Sequence, residues 1–430
     1  MKNEKMTIIY SVALCLLASC GPIVDGYTDK ISYRVGDSLK LYLNGRSTNE
    51  EFEVAINDLQ GNPVKTYNTK IFSQKMSNDK PYTNGFGYSP TLEIAVPNLR
   101  SGVYTFGEEI PFVVRPSEPF DILVLYSSNT ENAYANSGGK SLYDYNSSSD
   151  VAAPIVSFQR PIGLPVHSTE FLIWIANQKQ YKIGYICDQD MDDYENIENA
   201  KLLIIPGHSE YWTRKARINF DRFIDEGKNA LILSGNTMWW QVRYSSDGSK
   251  MICYKDFESD PIGDILLKTI NWPDTLLHYS TLESIGVDFN YGGYGKKSDD
   301  GWDGFKIVKP ESPIFKGLDI KMHDILWVKT HEYDGADLDF SVKPGVILNN
   351  PYGFYKYDLI GYDLASRKPN SNAAWVVLQR EPGSGLILNT SSTDWCAEAG
   401  MEGRDSDTIK AVTLNMIDLL LSEADQKAFN

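Results

Sequence analysis

The most informative part of the sequence reads KLLIIPG (201–207), RKARINFDRFIDEGKN (214–229) and ALILSGN (230–236). The two apolar runs have strand length and no polar face, which is typical of parallel strands buried on both sides. The segment between them has helical spacing of its apolar residues and ends at Gly227, a common helix stop. This strand–helix–strand order predicts an α/β fold with a doubly wound, mostly parallel sheet.

The same alternation continues on both sides of this part of the chain. Before it, DILVLY (121–126) and KIGYICD (182–188) have the pattern of strands, and FLIWIANQKQY (171–181) has that of a helix. After it come further apolar runs and a C-terminal amphipathic helix. We assign residues 119–424 to the α/β domain and interpret a Gly-, Asp- and Trp-rich stretch at about 240–345 as an irregular insertion.

Residues 27–115 have a different pattern. Apolar and polar residues alternate there in short runs such as SYRVGDSLKLYLNG (32–45), with turn residues between the runs. This period of two predicts half-buried strands, and regular short strands are typical of a β-sandwich. The sequence therefore predicts a small all-β sandwich domain at 20–116, joined by a proline-containing linker to the α/β domain.

The extreme N-terminus has the features of a targeting signal. Lys2 and Lys5 precede an apolar run that is too short to span a membrane. The following LASCG (17–21) resembles a lipobox, in which the cysteine is lipidated after cleavage. We predict a lipoprotein signal peptide at 1–19, lipidation at Cys20, and an exported protein anchored to the bacterial cell envelope, with the outer membrane as the favoured site.

The composition restricts the partners and the kinds of metal site. A net charge of −16 argues against nucleic acid and against anionic lipid surfaces. The cysteines after Cys20 form no CxxC pair, which excludes a disulfide scaffold and a cysteine-rich zinc site. The five histidines show no HExxH motif, so their spacing disfavours a three-histidine zinc site. A small-molecule substrate is the kind of partner that remains, and the composition leaves open whether the chain associates with itself.

Polar and aromatic side chains follow three of the predicted strands. They occur in SSNTENAYANSGGKSLYDY (127–145), HSEYW (208–212) and NTMWW (236–240). Because the carboxyl ends of parallel strands meet at one edge of a sheet, we expect these segments to converge on one crevice. The sequence shows no G-x-S-x-G elbow at these strand ends, which disfavours a serine or cysteine nucleophile.

These segments carry a resemblance to a known family. The combination of NTENAYANSGGKSLY (129–143), SFQRP (157–161), GHSEYWT (207–213) and LSGNTMWW (233–240) resembles the catalytic domain of the large subunit of N,N-dimethylformamidase. The resemblance covers most of the predicted α/β domain and implies a glutamine-amidotransferase-like fold. It also implies one iron ion, held by two tyrosines and one glutamate.

The resemblance implies a role for each matching residue. Glu210, Tyr134 and Tyr143 would bind the iron, and His208 would lie beside it. Asn236 would bind substrate or water, Glu332 would be a second carboxylate, and Lys255 a cationic neighbour. Tyr126, Tyr145 and Tyr211 compete for the ligand positions. Simple structural roles also stay open: Glu210 or Asn236 as a helix cap, His208 as a buried core residue, and the tyrosines as packing residues.

The implied activity is metal-dependent hydrolysis of a small amide or a related C–N bond. Iron would activate a carbonyl oxygen or a water, Glu332 would transfer protons, and His208 would donate a hydrogen bond to the oxyanion. The alternative is a non-catalytic or glycan-related surface-binding lipoprotein on the same fold, because fold does not fix function. The family enzyme also works with a small partner subunit, and that requirement stays open for this chain.

Overall fold

The computed structural model describes residues 23–46, 51–294, 301–328, 331–341, 345–364 and 371–422. The predicted signal peptide and the lipobox residue Cys20 lie outside these ranges. Within them, the helices are all too short or too polar to cross a membrane.

The N-terminal part of the chain forms two sheets around one core. Its elements are β1 (Ile23–Thr28), β2 (Ser32–Tyr33), β3 (Ser38–Gly45), β4 (Glu51–Asp58), β5 (Pro63–Lys70), α1 (Pro81–Asn84), β6 (Leu92–Ala95), β7 (Gly102–Phe106) and β8 (Ile110–Val114). The strand orders are β1-β3-β6 and β2-β8-β7-β4-β5. Alternate residues of β3, Leu39, Leu41 and Leu43, pack into the same core as Phe106 and Phe112 of the other sheet. Two sheets that share a core in this way form a β-sandwich.

The rest of the chain contains one large sheet and several small ones. Its strands are β9 (Ile122–Tyr126), β10 (Ile155–Ser157), β11 (Ile183–Cys187), β12 (Leu202–His208), β13 (Tyr211–Thr213), β14 (Asn229–Gly235), β15 (Trp240–Tyr244), β16 (Lys250–Ile252), β17 (Asp288–Tyr294), β18 (Phe305–Ile307), β19 (Ile325–Leu326), β20 (Glu332–Gly335), β21 (Leu338–Asp339), β22 (Ile347–Leu348), β23 (Lys356–Asp363), β24 (Ala373–Gln379) and β25 (Leu386–Asn389).

The α-helices of this region are α2 (Ser128–Tyr134), α3 (Thr169–Ala176), α4 (Arg214–Asp225), α5 (Thr281–Ile285), α6 (Glu398–Met401) and α7 (Ser406–Leu421). Short 3₁₀ turns occur at Ser137–Gly139, Ser148–Asp150, Asp188–Asp192, Tyr194–Asn196, Ile265–Leu267, Thr275–Leu277 and Pro313–Phe315.

The large sheet is mixed rather than parallel. Its nine strands have the order β11-β9-β12-β14-β25-β24-β23-β18-β19. The first five run parallel to one another, whereas every pair from β25 to β19 is antiparallel. The prediction of a doubly wound, mostly parallel sheet of the glutamine-amidotransferase-like kind is therefore wrong. Only the half of the sheet that contains the sequence used for this prediction has parallel strands.

Chain connectivity explains the antiparallel half. The segment REPGSG (380–385) between β24 and β25 contains Pro-Gly and a second glycine, which suit a tight return. A parallel connection needs a crossover of a dozen or more residues, usually with a helix, and 380–385 is too short for one. The stretch at about 240–345, predicted to be an irregular insertion, contains short strands, and two of them, β18 and β19, form the antiparallel edge of the large sheet.

Helices cover both faces of the sheet. In β9, Ile122 and Val124 point to one face and pack in the same core as residues of α3 and α7. Leu123 and Leu125 point to the other face, where they share a core with Phe220 of α4. Because both faces are buried, the strands are apolar along their whole length, and only their ends are free to carry polar groups.

Candidate active site

Three neighbouring strand ends bring the predicted site residues to one edge of the large sheet. Strands β9, β12 and β14 are adjacent and parallel. β9 leads into α2, which ends at Tyr134, while β12 ends at His208, opposite Gly235 at the end of β14. Glu210 and Asn236 follow the last two strand ends, so these side chains share one edge of the sheet.

Three acidic groups meet at this edge. The hydroxyl oxygen of Tyr134 lies 3.0 Å from Oε2 of Glu210, and that of Tyr143 lies 3.0 Å from both carboxylate oxygens. The two tyrosine hydroxyls are 2.9 Å apart. Each of the three groups is therefore in direct contact with the other two.

The cluster is shielded from water, and this changes its acidity. Glu210 is 2% exposed. Burial raises the pKa of Glu210, although the neighbouring His208 opposes this rise. Burial, together with the carboxylate of Glu210, raises the pKa of both Tyr134 and Tyr143. Both phenols are therefore protonated in the metal-free protein and donate hydrogen bonds.

Backbone contacts hold Glu210 in place. Its N–H donates to the hydroxyl of Thr130 in α2 at 3.0 Å, which ties the loop after β12 to the helix after β9. Its carbonyl accepts hydrogen bonds from the N–H groups of Trp239 and Trp240, both at 2.9 Å. The carboxylate is thus positioned by segments that follow all three strands.

A second carboxylate lies across from this cluster. Glu332, the first residue of β20, has its Oε2 atom 3.1 Å from Nε2 of His208, and the same nitrogen lies 3.4 Å from Oε2 of Glu210. Burial raises the pKa of Glu332 to about 7, although a hydrogen bond from the Asn236 amide opposes this rise. Burial lowers the pKa of His208, so its ring is neutral at neutral pH.

Lys255 lies against the aromatic side of the cluster. Its Nζ atom is 3.4 Å from the ring centroid of Tyr143, and it lies 5.2 and 5.3 Å from the rings of Trp240 and Tyr211. These are cation–π distances. Burial lowers the pKa of Lys255, while the nearby Glu210 opposes this fall.

The structure brings seven of the eight predicted site residues together, and the eighth, Cys20, lies outside the described residues. The three competing tyrosines make other contacts. Tyr126 is buried among apolar residues, and Tyr145 is 67% exposed with its ring 5.4 Å from that of Tyr143. Tyr211 donates its hydroxyl hydrogen to the oxygen of Tyr143 at 2.6 Å. The roles of these residues in binding or catalysis stay predictions.

Sequence reasoning missed a histidine–aspartate pair beside the site. Nδ1 of His331 lies 2.6 Å from Oδ1 of Asp394, and Oδ2 of Asp394 accepts the backbone N–H of His331 at 2.7 Å. Asp394 is buried, whereas the His331 side chain is half exposed. His331 precedes Glu332, so the pair fixes the entry into β20. No motif links two residues so far apart in the sequence, and only the fold shows the contact.

A conventional metal cluster is not present in the described ranges. No group of three or more histidine, cysteine, aspartate and glutamate side chains is arranged there to hold a metal ion. Two of the three candidate ligands are phenols, which do not belong to that group of side chains.

Two solved structures show a distant likeness to this chain. A ThuA-like protein from Bacteroides uniformis ATCC 8492 has 12% identity and a TM-score of 0.37, over 71% of this chain and 92% of its own. A ThuA-like protein from Parabacteroides merdae ATCC 43184 has 10% identity and a TM-score of 0.30, over 71% of this chain and 91% of its own. No curated protein matches the sequence.

The family comparison is more informative. The family described as "N,N-dimethylformamidase beta subunit-like, C-terminal" matches residues 62–406. The match begins in the N-terminal sheets and continues through the whole candidate site, including Glu332 and Asp394. It covers most of the chain and agrees with the family named from the motifs. The chain therefore belongs to the N,N-dimethylformamidase beta subunit-like family, and this membership indicates a hydrolase.

Proposed function

We propose that this protein is an iron-dependent hydrolase that cleaves a small amide or a related C–N bond. The observation that carries the proposal is the contact among the oxygens of Tyr134, Tyr143 and Glu210, at 2.9 to 3.0 Å. Oxygens bound at right angles to a small cation, at about 2.0 to 2.1 Å from it, lie about 2.9 Å apart. The three oxygens therefore have the spacing of neighbouring ligands of one ion.

The charges of the cluster also support a cation. Three acidic groups with raised pKa values are buried together, and the Nζ atom of Lys255 lies over one face of Tyr143. A multiply charged ion would favour the ionised form of all three groups. Phenolate oxygen is a good ligand for hard, highly charged ions, and tyrosine holds ferric iron in some haem enzymes. Ferric iron suits this set of ligands.

The chain itself supplies the proton transfers. When bound, the metal would polarise a carbonyl oxygen or acidify a water. Glu332, with a pKa of about 7, can take a proton from the attacking water and return it to the departing amine nitrogen as the C–N bond breaks. The neutral ring of His208 can donate a hydrogen bond from Nε2 to the oxyanion.

The test is amide hydrolysis by iron-loaded protein. Purified protein would be reconstituted with iron and incubated with a panel of formamides and acetamides, and amine release would be measured. We expect turnover by the wild type and loss of turnover in the Glu332→Gln variant, which keeps the ligand set intact. Protein that binds no metal but has affinity for an oligosaccharide would contradict the proposal and favour the surface-binding alternative.

We also propose that the protein is exported and lipid-anchored through Cys20, which lies outside the described residues. Basic residues, a short apolar run and LASCG (17–21) support this. The wild-type chain would be expressed in a Gram-negative host supplied with labelled palmitate. It should carry the label and be found in the outer-membrane fraction. Equal labelling of a Cys20→Ser variant would contradict the anchor.

A further inference from the structure

A fully buried arginine connects the two proposed tyrosine ligands to a separate part of the chain. Arg160 belongs to SFQRP (157–161), a motif that the proposed function does not use, and it is 0% exposed. It follows β10, whereas Tyr134 ends α2 and Tyr143 lies in the loop beyond that helix. We call residues 132–143, which include both tyrosines, the tyrosine segment.

The guanidinium group of Arg160 contacts the tyrosine segment at three residues. Its Nη1 atom donates to the backbone oxygens of Ser137 at 2.9 Å and of Lys140 at 2.8 Å. Its Nη2 atom donates to the backbone oxygen of Asn132 at 2.7 Å and to the side-chain oxygen of the same residue at 3.0 Å. Nε donates to the backbone oxygen of Ser157 at 3.1 Å. Because the guanidinium group is rigid and planar, these contacts fix the positions of their acceptors relative to one another.

The charge of Arg160 makes this arrangement specific. Among the described residues, its acceptors are carbonyl and amide oxygens, and no carboxylate forms an ion pair with it. Burial lowers the pKa of this group to about 9, so the side chain is still charged at neutral pH. A buried charge costs much free energy unless well-placed acceptors surround it. Moving the tyrosine segment would remove those acceptors, so one arrangement of the segment is strongly favoured.

Other contacts close the tyrosine segment on itself. The N–H of Leu142 donates to the backbone oxygen of Ala133 at 2.9 Å, which joins the residues next to the two tyrosines. The side-chain amide of Asn146 donates to the backbone oxygen of Tyr134 at 3.0 Å. These bonds hold the two tyrosines beside each other, whereas Arg160 fixes the segment relative to the chain after β10.

We infer that Arg160 is a positioning residue, which holds Tyr134 and Tyr143 in place so that their hydroxyl oxygens have the spacing of neighbouring iron ligands. This inference rests on the proposed iron site. Arg160 acts through the backbone of the tyrosine segment, and none of its described hydrogen bonds goes to a tyrosine hydroxyl. Ligands that are already in position lose less conformational freedom on binding, so such a site holds its ion more tightly.

The experiment compares two substitutions of fully buried arginines. Arg160→Lys keeps the charge but removes the planar group, and one ammonium cannot reach all the acceptors. The matched control is Arg217→Lys, because Arg217 in α4 is also 0% exposed and donates to the backbone oxygens of Tyr279 and Ser280, which are not part of the site. Iron titrations, visible spectra and thermal unfolding would be measured for both variants and the wild type.

We expect the iron affinity of Arg160→Lys to be about 10- to 100-fold lower than that of the wild type. At full loading its phenolate-to-iron band should be displaced, since the phenol oxygens no longer meet at the same spacing. Arg217→Lys should unfold at a lower temperature than the wild type but keep its iron affinity and its band. In the metal-free protein, amide hydrogen exchange in the tyrosine segment should be at least about tenfold faster in Arg160→Lys and unchanged in Arg217→Lys.

A second, milder variant serves if Arg160→Lys does not fold. The side-chain oxygen of Asn132 accepts from Nη2 and Nε of Arg160, and its amide nitrogen has no partner among the described residues. Asn132→Ala therefore removes an acceptor of Arg160 and leaves the backbone contacts. It should change iron affinity and exchange in the same direction as Arg160→Lys, by a smaller factor.

The outcomes separate this inference from the proposed function. If the wild type binds iron and the folded Arg160→Lys variant, or Asn132→Ala in its place, matches it in affinity, band and exchange, the inference fails and the hydrolase proposal stands. Equal losses of iron affinity in Arg160→Lys and Arg217→Lys would show a general effect of lower stability and would also overturn the inference. A wild type that binds no iron would overturn both the iron site and the role of Arg160.

Discussion

The hydroxyl group of Tyr211 donates a hydrogen bond to the hydroxyl oxygen of Tyr143, with 2.6 Å between the oxygens. Tyr211 is 1% exposed, so water does not compete for this contact. Tyr143 in turn contacts both carboxylate oxygens of Glu210. Tyr211 therefore acts on a proposed metal ligand without being a ligand itself, and such outer contacts tune metal sites.

The Tyr211→Phe substitution should shift the spectrum of the iron-loaded protein. A hydrogen bond stabilises negative charge on the Tyr143 oxygen, and its loss makes the phenolate a more basic donor. The phenolate-to-iron absorption band should then move to longer wavelength. Because ionising Tyr143 becomes harder, iron affinity at neutral pH should fall about tenfold or more.

A matched control is Tyr145→Phe. Its ring lies 5.4 Å from that of Tyr143, but the side chain is 67% exposed. Visible spectra and iron titrations of the two variants would be compared. A band shift of equal size in both, or in neither, would contradict the role assigned to Tyr211.

The pH dependence of turnover should follow Glu332. Burial raises the pKa of this carboxyl to about 7, so it is protonated below that pH and cannot accept a proton from water. We expect kcat/KM to rise about tenfold per pH unit up to about pH 7 and then to level off. Glu332→Gln should lower the plateau by at least about 100-fold and remove this limb of the profile.

The control for this profile is Glu381→Gln, which changes an exposed carboxylate on the β24–β25 connection. Rates would be measured from pH 5 to 9 for both variants and the wild type. A wild-type profile that is flat between pH 5 and 7 would contradict this role of Glu332, because no group with a pKa of about 7 would then limit turnover.

Gly235 permits a close backbone approach beneath the site. A Cβ atom at this position would lie 2.3 Å from the carbonyl oxygen of Glu332 and 2.7 Å from the backbone nitrogen of Thr393. Gly235→Ala must push β20 away from β14, which should cost about 1 to 3 kcal/mol of stability and displace the Glu332 carboxylate. The thermal unfolding temperature and kcat of this variant should both be lower than those of the wild type.

Gly263→Ala is the matched control for this substitution, because nothing lies within 4 Å of the added carbon. It should leave both the unfolding temperature and kcat close to the wild-type values. Normal stability and activity of Gly235→Ala would show that β20 can move without cost, and would contradict tight packing of Gly235 against the backbone of Glu332 and Thr393.

The fold was predictable from the sequence only in part. Continuous apolar runs identify strands buried on both faces, and this pattern correctly located β9, β11, β12 and β14. The apolar pattern does not indicate whether a strand runs parallel or antiparallel to its neighbours. β24 is buried along its whole length although it lies between two antiparallel neighbours. Burial on two faces sets the apolar pattern, whereas the lengths of the connections set the direction.

The site was predictable only through motifs. The resemblance named Tyr134, Tyr143 and Glu210, and the structure brings their oxygens into contact, yet nothing in the spacing of these residues requires that contact. The hydrogen bond from Tyr211 and the pairing of His331 with Asp394 left no sequence signal. Such contacts depend on side-chain direction at strand ends, and residue spacing alone does not determine it.

The central claim is that the oxygens of Tyr134, Tyr143 and Glu210 bind a single iron ion. The most direct test is an iron titration, followed by metal analysis and visible absorption, of the wild type, Glu210→Gln and the Tyr134→Phe/Tyr143→Phe double variant. We predict about one iron per wild-type chain with a phenolate-to-iron band, affinity at least about 100-fold lower in Glu210→Gln, and no band in the double variant. Iron bound with the same affinity and the same band in all three proteins would contradict the claim, as would a wild-type chain that binds none.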